Sequence, residues 1–302
     1  MRYATSHRHK EAEAHIRGAA AVEPLPRGRP GAPLVPRRTD AKHNPASHRS
    51  LDAIGDHRSV SPDAAALPPH GPLLTTPTGA QVLAFTTPGD HALDWWQRLR
   101  DTHPTTGFWP VLLDADAPEY FADGYEYESP ADAQARLSTL DGATLLADRW
   151  AGSLRLYGPE LTAEINADLN EERDWPEAPE RRGSGFGDPA DEVTVALVPA
   201  PAGWLVPMVL HYGGWNDYPD PAEHAAILRY WHDRYGADLV SMTGTTAEFA
   251  VRRPPRTRPD ALRLAWEYKA YNDGYYDFYF ADNLTDLAAS LHEAPIWRCW
   301  WD

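Results

Sequence analysis

The chain closes on Pro295-Ile296-Trp297-Arg298-Cys299-Trp300-Trp301-Asp302, with three tryptophans among its last six residues. Chain ends ordinarily fray in water. An end this apolar has to be packed, in the core or in a partner. Burying one Trp removes roughly 150–250 Å² from water, about 4–6 kcal/mol at ~25 cal/mol/Å² as an upper bound. The pattern predicts a late-placed core strand on which Trp297, Cys299 and Trp301 share one face. Such a strand demands a large aromatic core. The chain supplies 12 Trp, 14 Tyr and 7 Phe, most of them beyond residue 84.

A single cysteine excludes an intrachain disulfide framework and fits a reducing, cytoplasmic setting. No apolar run approaches the roughly 20 residues of a membrane helix, and no secretory h-region is legible near the N-terminus. The net charge of −16 is split unevenly. Residues 1–60 carry 11 Lys+Arg against 6 Asp+Glu, which leaves 17 against 38, or −21, for residues 61–302. The acidic body disfavours nucleic acid and anionic membranes as partners and suits a basic protein. Acidity is also an ordinary route to solubility.

Residues 1–66 hold 6 of the 13 histidines, no Trp or Phe, and no sustained apolar period. They are expected to form a disordered tail. The rest predicts an α+β fold, mixed sheet segments with packed helices in two packed halves. These are a region at 67–170 and a domain at 190–302, joined by a charged, Pro/Gly-rich linker or long loop at 171–189. Strands are expected at 81–85, 108–113, 193–198, 204–210, 239–242 and 248–251, then the terminal one. Pro110 places its strand's start, or a sheet edge, nearby. Thr87-Pro88-Gly89-Asp90, Ser129-Pro130-Ala131-Asp132, Asp220-Pro221-Ala222-Glu223 and Thr257-Arg258-Pro259-Asp260 each read as a helix start, with cap, proline and acid in order. A shorter helix is marked by Leu284, Leu287, Ala288 and Leu291.

The richest chemistry lies in His211-Tyr212-Gly213-Gly214-Trp215-Asn216-Asp217-Tyr218-Pro219-Asp220, between an apolar run and a helix N-terminus. The glycines allow close backbone approach. The helix start offers free N–H donors. His224 follows one turn into the helix on the face of Leu228, Trp231 and Tyr235. His211, Asp217 and His224 are therefore the catalytic candidates, with Trp215, Asn216 and Tyr218 as binding candidates. The competing view is a folded loop with Asx turns and a core histidine satisfied by hydrogen bonds. No metal-ligand spacing stands out, and no cofactor is expected. Cys299 reads as a buried structural thiol. An aromatic-acidic stretch from Tyr268 to Phe280, containing Tyr271, Tyr275 and Tyr276, forms a second candidate surface, to which Trp266 is assigned. Either it docks a partner or it covers the core.

Gly214-Trp215-Asn216, the helix around Ile227-Leu228-Arg229-Tyr230-Trp231 with Arg234-Tyr235-Gly236-Ala237, Pro254-Pro255 and the closing Trp300-Trp301-Asp302 resemble an uncharacterised bacterial family, domain of unknown function 4253. The resemblance covers about residues 193–302. Thr106-Gly107-Phe108-Trp109-Pro110-Val111-Leu112-Leu113 resembles a motif found upstream in it. It implies a bacterial, soluble protein and brings no activity. Ala270-Tyr271-Asn272-Asp273-Gly274 departs from the family's Tyr-x-Cys-Pro-Asp-like segment. The leading expectation is a cytoplasmic protein-binding module of immunity or regulatory type with a basic partner. The alternative is an enzyme or small-ligand binder with a pocket at the His211–Asp220 loop and the helix behind it.

Overall fold

Central to the molecule is a strand buried along all but its first residue. In Phe108–Leu113 (β3) the residues Val111, Leu112 and Leu113 are wholly buried, as a near-continuous apolar run requires. The computed structural model describes residues 67–114, 128–169, 174–176, 185–188, 191–214, 218–272, 281 and 283–301, all of which fall within one compact unit, Asp40–Asp302. The expected tail at 1–66 lies outside the described residues.

In chain order the elements are β1 Gly71–Thr75, β2 Gln81–Pro88, α1 Gly89–Thr106, β3, α2 Pro130–Leu137, α3 Gly142–Leu169, β4 Glu192–Pro199, α4 Val206–Leu210, α5 Pro221–Tyr235, β5 Ala237–Met242, β6 Thr246–Val251, α6 Arg258–Asn272, α7 Leu284–Leu291 and β7 Ile296–Trp300. The strands form one mixed sheet in the order β1-β2-β4-β3-β5-β6-β7. The architecture is α+β. Every neighbouring pair is antiparallel except β3 and β5, which run parallel. The sheet draws strands from both sides of the 171–189 segment, and one core runs from Val82 to Trp301.

Local chemistry explains most helix starts. Asp220 caps α5 by accepting from the Glu223 N–H at 2.9 Å, with Pro221 in the first turn and Gly236 left-handed at the other end. Ser129 caps α2 in the same way. Arg136 of α2 then pairs with Asp220 at 2.5 Å and Glu128 at 2.6 Å, tying the two helix starts together. The α3 helix is broken at Gly158, which has a φ of 78° and precedes Pro159.

Two expectations need correction. Thr87 is not a cap: it pairs with Val193 inside β2, and α1 starts at Gly89 without a side-chain cap. Residues 204–210 are not a strand but a 3-10 turn at Gly203–Leu205 followed by α4. Pro207 sits in the first turn of α4, where its missing N–H costs nothing. Of the two places expected for Pro110, the structure has the strand's start: it is the third residue of β3, an internal strand whose registered pair with β5 is Leu112 opposite Ser241. The terminal strand is as expected: Trp297, Cys299 and Trp301 are buried and Arg298 alternates outward.

Candidate functional site

The one parallel step in the sheet determines where a crevice opens. Loops leave the carboxyl ends of β3 and β5 on the same side, where open sheets tend to hold ligands. Asp114 follows β3, the Thr243–Thr245 turn follows β5, and Trp301 follows β7. A pocket of about 400 Å³ opens there beside the start of β4, lined by Asp114, Asp191, Glu192, the threonine turn and Arg298, with Phe186 as an apolar wall.

The walls are fixed from behind. Thr243 and Thr246 share a hydroxyl hydrogen bond of 2.8 Å, and the Thr243 hydroxyl also accepts from the Thr246 N–H at 3.0 Å. Trp301 donates its N–H to the Thr245 carbonyl at 2.8 Å. Glu248, 1 % exposed, accepts from the Gly185 N–H at 2.6 Å and lies 3.5 Å from Arg298 Nε. A charge this buried needs such partners. The Arg298 guanidinium lies against Gly185, where a Cβ would approach it to 2.9 Å. The pocket thus combines one cation held by a buried carboxylate with further carboxylates and threonines.

Tyr212, in the described part of the predicted His211–Asp220 loop, reaches the wall of this pocket. Tyr212 donates its hydroxyl to the Thr243 carbonyl at 2.7 Å. Burial above all, then neighbouring Tyr218 and Tyr271 and the charge of Asp114, holds the Tyr212 phenol well above its ordinary pKa. His211 is 2 % exposed and left-handed, with a φ of 54°, and ends α4. His224 is wholly buried, and its Nδ1 lies 2.8 Å from the Tyr271 hydroxyl. Burial, assisted by Arg149, lowers its pKa to about 3, so the imidazole is neutral. Its other edge faces Gly213: a Cβ there would lie 2.7 Å from Cδ2 and 2.2 Å from the Pro219 carbonyl. Gly213 has a φ of 119°, a second reason for glycine. Tyr218 stacks on Trp301 at 4.3 Å, and Tyr271 meets Trp301 edge-on at 5.0 Å. The loop's histidine, two tyrosines and the terminal tryptophan therefore make one aromatic wall behind the pocket.

Trp215, Asn216, Asp217, Tyr275 and Tyr276 lie outside the described residues. Tyr218, Trp266 and Tyr271, expected on a binding surface, are 5 %, 8 % and 0 % exposed and belong to the core. Trp266 packs on Trp150 at 6.4 Å. The cause is α6: nearly every residue from Ala261 to Asn272 is buried, so its tyrosines have no outward face. Cys299 is buried as expected, and burial pushes its thiol pKa upward.

Sequence reasoning passed over Asp114, Thr243, Thr245, Thr246, Glu248 and Arg298. Two signals were present. A Thr-Gly-Thr-Thr turn separates two buried strands, and a lone arginine interrupts a tryptophan strand. It also passed over Glu267, 2 % exposed, which accepts from the Tyr230 hydroxyl at 2.8 Å and the Trp231 indole at 3.2 Å. Among the described residues no group of three or more His, Cys, Asp or Glu is placed to hold a metal ion, and no helix is long and apolar enough to cross a membrane.

No curated protein and no solved structure matches the chain. Residues 194–302, which carry the His211–Asp220 loop, the threonine turn and Arg298, match the family model described as Domain of unknown function (DUF4253).

Proposed function

We propose that the protein binds a small polar metabolite in the pocket at the carboxyl ends of β3 and β5. The observation that carries this is the pocket's lining: Arg298, held by buried Glu248, together with Asp114, Asp191 and the threonine turn. Buried charge of this kind is costly to maintain, and sites of this composition fix a ligand's orientation through a few polar groups. The complementary ligand carries an acceptor oxygen for Arg298 and ammonium or hydroxyl donors for the carboxylates. The aromatic wall of Tyr212, Tyr218 and Trp301 holds the threonine turn in place. Ligand-detected NMR with a panel of amino acids and polyols, on the wild type and on Thr245→Trp, tests this. Thr245 is exposed at the pocket, so the indole fills the space without entering the core. Binding by the wild type that Thr245→Trp abolishes supports the proposal. Equal binding by both contradicts it.

A protein-binding role is the second reading, and the charge of −21 over residues 61–302 favours it. It loses support from Tyr218, Trp266 and Tyr271, which are buried. Retention of a single basic protein on the immobilised full chain, released by salt, would support it.

A further inference from the structure

At the opposite end of the β5–β6 hairpin the acidic chain gathers positive charge. A groove of about 460 Å³ is lined by Arg234, Arg252, Arg253 and Arg256, with Asp260 as the carboxylate among them. Tyr235 and the Pro254-Pro255 pair complete it. Four guanidinium groups in one groove repel one another, so each needs a reason to be there.

Helix capping accounts for one. Arg253 donates to the carbonyls of Asp233 at 2.7 Å, His232 at 3.3 Å and Arg234 at 3.4 Å, closing the carboxyl end of α5. An internal ion pair accounts for another: Arg234 lies 3.6 Å from Asp260. The remaining two are held more loosely. Asp238 already takes Arg100 at 3.1 Å and His232 at 2.9 Å, and Arg252, with a side chain 53 % exposed, reaches it only at 3.7 Å and the Gly236 carbonyl at 3.5 Å. Arg256 is exposed and has no partner among the described residues. One arginine would close the helix. Four leave charge that helix stability does not use.

We propose that this groove binds the phosphate groups of a small phosphorylated molecule. Guanidinium forks match phosphate oxygens two at a time, and the capping role of Arg253 fixes one fork in place before a ligand arrives. The proline pair sets a rigid wall opposite it. Arg252 and Arg256 close on the anion from the loop between β6 and α6. This site is separate from the β3–β5 pocket.

The probe is inorganic pyrophosphate, titrated calorimetrically into the full chain. Saturable binding is expected. Arg252→Gln/Arg256→Gln should weaken it by about tenfold or more, the loss of charge-assisted hydrogen bonds. Neither side chain is buried, so the variant retains its circular dichroism spectrum. Arg37→Gln/Arg38→Gln, in the basic 1–60 segment, should leave the affinity unchanged, as should Thr245→Trp. Pyrophosphate should also slow amide exchange across 252–258. Absence of saturable binding, or affinity untouched by the groove variant, would overturn the proposal. So would affinity lost with Arg37 and Arg38 instead.

Discussion

Two adjacent glycines show how much a single position depends on its surroundings. Gly213 and Gly214 both have positive φ, 119° and 90°. A Cβ on Gly213 would meet the Pro219 carbonyl at 2.2 Å and His224, while one on Gly214 meets nothing within 4 Å. Gly214→Ala is expected to cost about 1–2 kcal/mol from backbone conformation alone. Gly213→Ala adds a collision with fixed backbone and should cost about 3 kcal/mol or more. Urea denaturation of the two variants compares them. Equal losses would place the Gly213 turn elsewhere than against His224. The histidine itself is expected to behave as core. His224→Ala removes the partner of the Tyr271 hydroxyl and leaves a void, for about 2–4 kcal/mol.

Two buried titrations oppose one another. The pKa of His224 lies near 3 in the fold against an ordinary 6.5. Above about pH 6.5 both states are neutral and the group makes no difference. Below it the unfolded chain takes a proton that the fold refuses, so stability falls as the pH drops from 6.5 towards 3. Glu267 has its pKa raised to about 7 from 4.5, first by burial. From pH 4.5 upward the unfolded chain has lost a proton that the fold retains, so stability falls as the pH rises to 7. Glu267→Gln removes only the second effect. From pH 4.5 to 7 the variant should gain on the wild type by up to about 1.4 kcal/mol per pH unit. Parallel profiles in chemical denaturation would mean that Glu267 is ionised in the fold.

At the scale of elements, the parallel β3–β5 junction relies on side chains as much as on backbone. The indole N–H groups of Trp96 and Trp109 both donate to the Leu239 carbonyl, at 3.1 and 3.0 Å. That carbonyl stands beside the register shift in β5. Trp109 also packs against Gly203, where a Cβ would come within 2.4 Å of its ring. Trp109→Phe should therefore loosen β5, seen as faster amide exchange at Val240–Met242, with a cost of about 1 kcal/mol for the hydrogen bond alone. Unchanged exchange there would show that the backbone suffices.

Element starts governed by local chemistry were legible: Ser129, Asp220 and Thr257 cap as their sequences say. Thr87 has the same signature and fails, because β2 continues to Pro88 to pair with Glu192. Residues 204–210 are apolar throughout, and a short buried run has no period to separate strand from helix. Tyrosine suits interfaces and core covers alike, so composition leaves the aromatic stretch open between the two. Its helix is enclosed on all sides, which composition does not reveal. Near the candidate site, the close approach at Gly213 was legible from its glycine pair. Asp114, the threonine turn and Arg298 were not, because residues far apart in sequence meet only where three strands end together.

At the scale of the molecule, the carboxyl ends of β3, β5 and β7 gather one set of groups and the far end of the β5–β6 hairpin gathers another. The first is acidic with one held arginine. The second is an arginine groove. The terminal strand connects the first to the core: Trp297 and Trp301 are 1 % and 2 % exposed, and the Trp301 N–H holds the threonine turn. Removing residues 297–302 should thus abolish cooperative unfolding in a thermal scan, since two buried indoles and the edge partner of β6 leave together. A retained sharp transition would show that the sheet closes without them.

The most direct test of the ligand pocket is native mass spectrometry of the full chain isolated gently from its source cells. The wild type is expected to carry a noncovalent adduct of metabolite mass that Thr245→Trp lacks and Arg252→Gln/Arg256→Gln retains. A wild-type spectrum free of any such adduct, or one whose adduct survives Thr245→Trp, would contradict a ligand site at the carboxyl ends of β3 and β5.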